Sequence, residues 1–251
     1  MRSQRLVALC VALIGCAQAP LAQEDPAVFG GQVVSIPAGT FVMGSAEGEP
    51  DEAPQRTVRL PAFGIDRYEV ANAAYDRCEE AGLCRARLYK NRAELNDPRQ
   101  PAVGVSWYDA ARYCKWVGKR LPSEAEWERA ARMTDGRLFP WGSKEEFARA
   151  NLRSAQDGFA ALAPIDGLPS GASAEGVANL AGNAAEWVAD FYDPTVYKRM
   201  VAEDPPKPRS GRSRVTRGGS YRDVLYSARG SARDRRDPGS RWDTVGFRCA
   251  R

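Results

Sequence analysis

Four cysteines, at positions 78, 84, 114 and 249, constrain what this chain can fold into more than any other feature. An even number of cysteines in an exported chain favours disulfides, and four cysteines allow three pairings. Cys78 and Cys84 are only six positions apart at the end of a predicted helix, so a local bridge closes easily. Cys114 and Cys249 would then pair and tie the end of the chain to the core. The spacing does not suit zinc.

The first residues are typical of an export signal. Two arginines precede an apolar run, Leu6 to Gly15, that is too short to cross a bilayer. The run leads into Leu13-Ile14-Gly15-Cys16, which resembles a bacterial lipobox and predicts a lipid on Cys16. Ordinary cleavage near Ala22 is the alternative. Either process places the protein in the periplasm or cell envelope, and the lipid would anchor it to the membrane.

These features divide the chain into three parts. Residues 1–22 form the signal, of which 1–15 are removed if Cys16 is lipidated, and residues 23–32 form a tether. Residues 33–251 are long enough for one domain with a sizeable core. The 23 glycines and 17 prolines predict that this domain is rich in loops.

The chain contains no histidine. This excludes Ser-His-Asp and Cys-His catalysis, as well as zinc, copper or iron sites held by histidine. The net charge of +4 is too modest to indicate nucleic-acid binding.

Hydrophobic periodicity predicts an α+β fold whose regular elements lie in its first half. Strands are expected over residues 33–43, with a turn at 37–39, and over 56–60 and 63–70. A helix is expected over residues 72–81. Ser106 begins a second helix, and Ser123 with Glu126 forms a capping box that begins a third, ended by Gly136. Residues 137–251 show only short apolar pieces between turn-forming residues.

Six motifs, in order, resemble those of the formylglycine-generating enzyme, or sulfatase-modifying factor, family. The resemblance covers about residues 33–251. It implies a single-domain, loop-rich, C-type-lectin-like α+β fold and a bridge between Cys114 and Cys249. The motifs are IPAGTFVMG from Ile36, IDRYEV from Ile65, GKRLPSEAEWE from Gly118, NLAGNAAEW from Asn179, RGGSY from Arg217 and GFRC from Gly246.

The chain departs from the family where its oxidase members hold copper. The resemblance places their two copper-binding cysteines at Asp223 and Ala228, and a tryptophan of the same site at Ala185. Cu(I) selects soft thiolates, which aspartate and alanine do not supply. We therefore expect no copper and no formylglycine-generating oxidase activity, and we assign no catalytic residues.

The emptied site is still expected to form a pocket. Ser220, Arg222, Asp223 and Tyr226 would surround it and bind a polar or anionic ligand. Other C-terminal arginines, namely Arg229, Arg233 and Arg248, are expected to pair with aspartates and with the acidic loop at residues 47–52.

The resemblance also implies two structural calcium sites, whose ligands are backbone carbonyls and Asn, Asp or Glu side chains. The alternative is that these polar residues only cap turns. The first set is Asn151, Leu152, Asp157 and Phe159, and the second is Asn179, Gly182, Ala184 and Glu186.

The leading functional hypothesis is an accessory or binding protein of the cell envelope. Its partner would be another envelope protein, as in type VI secretion or a kinase pathway, or a small polar ligand. A periplasmic maturation enzyme acting on a protein or a secreted natural product is the alternative, with Asp223 or Tyr226 as acid or base. A formylglycine-generating oxidase is the least favoured alternative, and a protein without enzymatic activity is preferred to an enzyme.

Overall fold

The computed structural model describes residues 31–154, 156–199, 208 and 210–251. The signal segment, with Cys16, and most of the tether lie outside the described residues. In the part that is described, no helix is long and apolar enough to cross a membrane.

Four short strands open the domain and pair as two antiparallel ladders. Strand β1 pairs with β4, and β2 forms a hairpin with β3. The alternation of buried and exposed residues in β3 matches the period of two in its sequence. The strands are β1 (Val33–Ile36), β2 (Gly39–Met43), β3 (Arg56–Leu60) and β4 (Phe63–Asp66).

Four α-helices are described. The capping boxes at Ser106 and Ser123 both form. Each serine hydroxyl accepts a hydrogen bond from the backbone amide three residues on, and the acidic side chain there accepts one from the serine amide. The third helix ends at Arg132, four residues before Gly136, because Met133 turns to a φ of 57°. The helices are α1 (Asn72–Glu80), α2 (Trp107–Trp116), α3 (Glu124–Arg132) and α4 (Val196–Arg199).

The second half of the chain contributes a four-stranded sheet in the order β7-β6-β5-β8. Its central pair is antiparallel, and β8 runs parallel to β5. These strands were not identified from the sequence, which indicated only short apolar pieces there. They are β5 (Ala185–Phe191), β6 (Arg214–Arg217), β7 (Arg233–Arg236) and β8 (Val245–Phe247).

Two clusters of apolar side chains hold these elements together. Trp127 of α3 lies at the centre of one, against the first four strands, and Trp187 of β5 lies in the other, against α1 and α2. Both tryptophans are completely buried. The α+β, loop-rich single-domain fold expected from the sequence is confirmed.

Both predicted disulfides are present. Cys78 is bonded to Cys84 at the end of α1, with 5.2 Å between their Cα atoms. Cys114, in α2, is bonded to Cys249, and their Cα atoms are 5.6 Å apart. The second bridge therefore fastens α2 to the segment that follows β8.

The predicted strand over residues 63–70 is wrong beyond Asp66. The chain turns there, and the side chain of Glu69 points inward, where its oxygens accept hydrogen bonds from Asn179 and Asn183. These partners lie more than one hundred positions away in the chain, so the sequence around residue 69 does not predict the turn.

Candidate functional site

A cavity of about 310 Å³ opens beside β5, β6 and β7, and we call it the central cavity. Its floor includes Ala185 of β5 and Thr216 of β6. Its walls are the loop containing Glu49 and Glu52, residues 218–229 in part, and residues 232–236 in part. The sheet supplies the rigid side, and the loops supply most of the polar groups.

Two glycines shape the loop that covers the cavity. Gly218 and Gly219 have φ values of 92° and 66°, a backbone region that favours glycine. A Cβ atom on Gly218 would lie 3.1 Å from the Trp127 ring, and one on Gly219 would lie 3.0 Å from the Ser227 carbonyl oxygen. The Gly-Gly pair therefore lets the chain fold back over the cavity directly after β6.

Asp223 is held in place by Ser220, three residues earlier in the chain. Its Oδ2 atom accepts hydrogen bonds from the Ser220 amide at 2.9 Å and from the Ser220 hydroxyl at 2.6 Å. No described residue donates to its Oδ1 atom, and Asp223 lines the central cavity. The serine fixes the carboxylate and leaves one oxygen available.

The other predicted pocket residues are only partly brought together. Tyr226 lines the central cavity as expected. Ser220 is buried behind Asp223 and does not line the cavity. Arg222 turns to the opposite side, where its Nη2 atom lies 2.7 Å from Asp243. The expected four-residue pocket is therefore wrong for Ser220 and Arg222, because successive side chains of this loop point in different directions.

Arg222 belongs to a second, more open depression of about 810 Å³, which we call the arginine groove. It is lined by Arg92, Arg153 and Arg222, with the aromatic side chains of Phe159 and Tyr221. Asp243 neutralises part of this charge, because it binds both Arg92 and Arg222.

Tyr226 stands half exposed at the mouth of the central cavity. Its hydroxyl donates to Glu49 at 3.1 Å, and the Arg229 guanidinium lies 4.0 Å from the centre of its ring. The hydrogen bond to Glu49 raises the pKa of Tyr226 above its usual value. The phenol therefore stays protonated at neutral pH.

Two of the three positions at which the resemblance implies a missing copper-site residue open on this cavity. Ala185 and Asp223 line it. Ala228 is completely buried and packs with Leu225 and Phe139 in a separate apolar cluster.

Thr216, at the floor of the central cavity, was not predicted from the sequence to lie there. Only 1% of the residue is exposed, and its hydroxyl oxygen is buried without a hydrogen-bond partner among the described residues. The sequence does not show that a threonine inside a strand lines a cavity, because alternate residues of any strand point to the same face of the sheet.

The predicted pairing of the C-terminal arginines is confirmed, although the partners are mostly glutamates. Arg229 binds Glu52 of the acidic loop at 2.8 Å. Arg233 binds Glu124 at 2.7 Å, and its Nη1 atom donates to the Asp51 carbonyl.

Arg248 binds Glu186 with two hydrogen bonds, of 2.5 and 2.7 Å. The Trp127 indole donates to the same carboxylate at 2.8 Å. Both oxygens of Glu186 are therefore already occupied within the protein. Glu69 lies nearby, and burial, followed by the charge of Glu186, raises the pKa of Glu69 to about 8.

This arrangement bears on the second predicted calcium set. Glu186 is held by Arg248, and the Asn179 amide nitrogen donates to Glu69 at 2.7 Å. As placed, both Glu186 oxygens accept hydrogen bonds from Arg248 and Trp127, whereas the Asn179 bond uses its amide nitrogen and does not involve its side-chain oxygen. Calcium binding by this set stays a prediction, and it would require Glu186 to share its oxygens between Arg248 and the cation.

The first predicted calcium set fits better. The Asn151 Oδ1 atom is buried and has no hydrogen-bond partner in the described part of the chain. Asp157 accepts hydrogen bonds from the amides of Leu152 and Phe159, at 3.0 and 2.9 Å, and so organises the loop. The Asn151 oxygen without a partner and the Asp157 carboxylate of the same loop are oxygen ligands of the kind that a hard cation prefers. Both bonds of Asp157 are also those of a residue that caps a turn.

Comparison with known proteins places these features in a family. Residues 18–251 match the sulfatase-modifying factor enzyme 1-like domain. The formylglycine-generating enzyme of Bos taurus is 33% identical over 283 residues, which cover 87% of this chain and 74% of that protein. The inactive C-alpha-formylglycine-generating enzyme 2 of Mus musculus is 30% identical, over 95% of this chain and 90% of that protein.

A solved structure agrees with these sequence matches. PvdO from Pseudomonas aeruginosa superimposes with a TM-score of 0.76 at 30% identity, over 88% of this chain and 94% of that one. Because the family match, the curated relatives and the fold agree over nearly the whole domain, the chain belongs to the sulfatase-modifying factor enzyme 1-like domain family.

Proposed function

We propose that this protein is an exported accessory or binding protein of the cell envelope, built on the family scaffold without copper oxidase chemistry. The observation that carries the proposal is Asp223, a carboxylate at the cavity where the family resemblance expects a thiolate. The scaffold and the cavity are retained, while the groups that would hold Cu(I) are replaced.

The remaining cysteines do not supply a substitute. All four cysteines of the described residues are joined in disulfides. A bridged cysteine offers no thiolate, and carboxylate oxygens prefer hard cations to Cu(I). An inactive relative that aligns with 95% of the chain supports the same interpretation, because family members without the activity exist.

A copper and peptide assay tests the proposal. Purified protein is expected to compete poorly for Cu(I) against a chelator and to leave a CxPxR peptide unoxidised. As a matched comparison, the double variant Asp223→Cys, Ala228→Cys is expected to gain Cu(I) affinity if these positions correspond to the family's cysteines. Catalytic oxidation of the peptide by the unmodified protein would overturn the proposal.

One observation favours the alternative of a maturation enzyme. The Tyr226 hydroxyl and the Glu49 carboxylate form a hydrogen-bonded pair at the cavity mouth, within reach of a bound molecule. Because the phenol is protonated at neutral pH, Tyr226 would act as an acid rather than a base, and its raised pKa would make it a weak acid. Under this alternative, Tyr226→Phe abolishes the protein's cellular phenotype while leaving its abundance and thermal stability unchanged.

A further inference from the structure

Carboxylates outnumber arginines around the central cavity when the ion-pair partners of the arginines are included. Four arginines line it, and each is already bound to a carboxylate at 2.5 to 2.8 Å. Two further carboxylates line the cavity, those of Glu49 and Asp223, and no described cation pairs with either. The arginine pairs are Arg217 with Glu128, Arg229 with Glu52, Arg233 with Glu124 and Arg236 with Asp234.

This imbalance reverses the sequence-based expectation of an anionic ligand. That expectation relied on Arg222, which binds Asp243 on the far side of the loop. Without Arg222, the two charged side chains of the cavity that lack an ion-pair partner, Glu49 and Asp223, are acidic, and they favour a positively charged ligand.

The Oδ1 atom of Asp223 can accept a hydrogen bond from a ligand. Its Oδ2 atom is held by the amide and hydroxyl of Ser220, so the carboxylate cannot turn freely. Its Oδ1 atom has no donor within the described part of the chain. A fixed carboxylate with one open oxygen is the arrangement that charge-assisted hydrogen bonds require.

Thr216 supplies an independent indication of a ligand. Its hydroxyl is buried at the cavity floor and has no hydrogen-bond partner among the described residues. Buried hydroxyl groups are nearly always hydrogen-bonded in folded proteins. The oxygen is covered as placed, so a side-chain shift at the floor would let a ligand N–H reach it while the charge of the ligand faces Asp223.

The lining argues for an organic cation rather than a metal ion. No group of three or more Asp, Glu, His or Cys side chains suited to a metal occurs among the described residues. The volume of about 310 Å³ is at the lower end of ligand pockets and suits a single side chain or a short amine. Ala185 and the half-exposed ring of Tyr226 provide apolar contacts for an alkyl chain.

We propose that the central cavity binds a primary ammonium or guanidinium group, with Asp223 as its main anchor and Thr216 at the floor. This inference rests on the proposed function, because it assigns binding to a cavity that would otherwise do copper chemistry. The group can come from a free amine or from a lysine or arginine side chain, and both sources present the same chemistry.

Titration calorimetry with the folded, disulfide-bonded protein tests the inference. The probes are putrescine and agmatine as free amines, and Nα-acetyl-lysine amide and Nα-acetyl-arginine amide as blocked side chains. We expect binding that weakens at least about tenfold in Asp223→Asn, and about fivefold to tenfold in Thr216→Val, since hydrogen bonds to charged groups are the stronger ones. Tighter binding of the blocked amino acids would identify a peptide source, and tighter binding of the diamines a free amine; either supports the inference.

Asp243→Asn is the matched control, because Asp243 binds Arg92 and Arg222 of the arginine groove and does not line the central cavity. It should leave probe affinity unchanged. The inference is overturned if no probe binds, if Asp223→Asn binds as well as the unmodified protein, or if Mg²⁺ or Ca²⁺ displaces the probes at equal concentration. Absence of amine binding would leave the copper result, and with it the proposed function, intact.

Discussion

Glu128 and Arg217 form an ion pair of 2.5 Å in which neither side chain is exposed to solvent. Glu128 also binds Arg132 at 2.7 Å and accepts hydrogen bonds from the Tyr197 hydroxyl and the Gly44 amide. This one carboxylate connects α3, α4, β6 and the end of β2. It is therefore a point at which the two halves of the fold depend on each other.

Removing one partner of this buried pair should be costly. Glu128→Ala leaves the buried Arg217 charge with only the more distant Glu124, 3.8 Å from its Nε atom, so we expect the free energy of unfolding to fall by about 3–5 kcal/mol. Urea denaturation measures the change. Asp234→Ala removes the partner of the far more exposed Arg236, and should cost no more than about 1 kcal/mol. Equal effects of the two variants would contradict this prediction.

The two disulfides should differ in their contribution to stability. The Cys114–Cys249 bridge closes a loop of 135 residues, whereas the Cys78–Cys84 bridge spans six. The chain-entropy model then predicts a loss of about 5 kcal/mol for the double variant Cys114→Ala, Cys249→Ala, against about 2 kcal/mol for Cys78→Ala, Cys84→Ala. Denaturation in the absence of reductant compares them. A larger loss from the short bridge would show that the entropic argument does not hold here.

The Glu52–Arg229 pair should make stability depend on pH. Burial alone would raise the pKa of Glu52, but hydrogen bonds and the charge of Arg229 outweigh burial and hold the pKa below its usual value of 4.5. A lowered pKa means that the pair stabilises the protein above pH 4.5 and that this contribution is lost as pH falls through the folded-state value.

Glu52→Gln should therefore reduce the free energy of unfolding by about 2–3 kcal/mol at pH 7 and flatten its decline below pH 4.5. Urea midpoints between pH 3 and 7 measure both effects. Glu47→Gln removes an exposed charge from the same loop and controls for net charge. A steep acid decline that persists in Glu52→Gln would contradict the assignment.

We expect calcium to stabilise the protein through the loop that contains Asn151 and Asp157. Binding to the folded state at a concentration one hundred times the Kd adds about 2.7 kcal/mol, so the Tm of chelator-treated protein should rise when calcium is added. The rise should be lost in Asp157→Ala and kept in Asp135→Asn, which alters an exposed ion pair elsewhere. A Tm that does not respond to calcium would exclude this site.

Lipidation at Cys16 predicts membrane attachment. In cell fractionation, the intact chain should stay with membranes, and Cys16→Ser should release it to the soluble fraction, because the acyl chains supply the anchor. Cys10→Ser, within the same segment, should change nothing. Release of the unmodified chain to the soluble fraction would favour ordinary cleavage, and membrane retention of Cys16→Ser would indicate another anchor.

Features set by neighbours in the chain could be predicted from the sequence. The capping boxes at Ser106 and Ser123 depend on residues only three positions apart, and both form as expected. The disulfides were predictable because one of the three possible pairings joins two cysteines that lie close together.

Features set by distant neighbours could not be predicted in this way. The strand expected to reach residue 70 stops at Asp66, because Glu69 turns toward partners in another part of the chain. The RGGSY motif located the central cavity, but it did not indicate that Ser220 and Arg222 would turn away from it. Thr216 and Glu49 reach the cavity from separate elements, so only the folded structure associates them with Asp223.

The short bridge also has a consequence for how the oxidised protein is assembled. Cys78 and Cys84 can meet as soon as α1 and its following turn have formed, well before residues around position 249 need be in place. Once they are joined, Cys114 and Cys249 have only each other among the cysteines of the described domain. Formed first, the short bridge would remove the mispairings that a domain with four thiols can otherwise sample during oxidation.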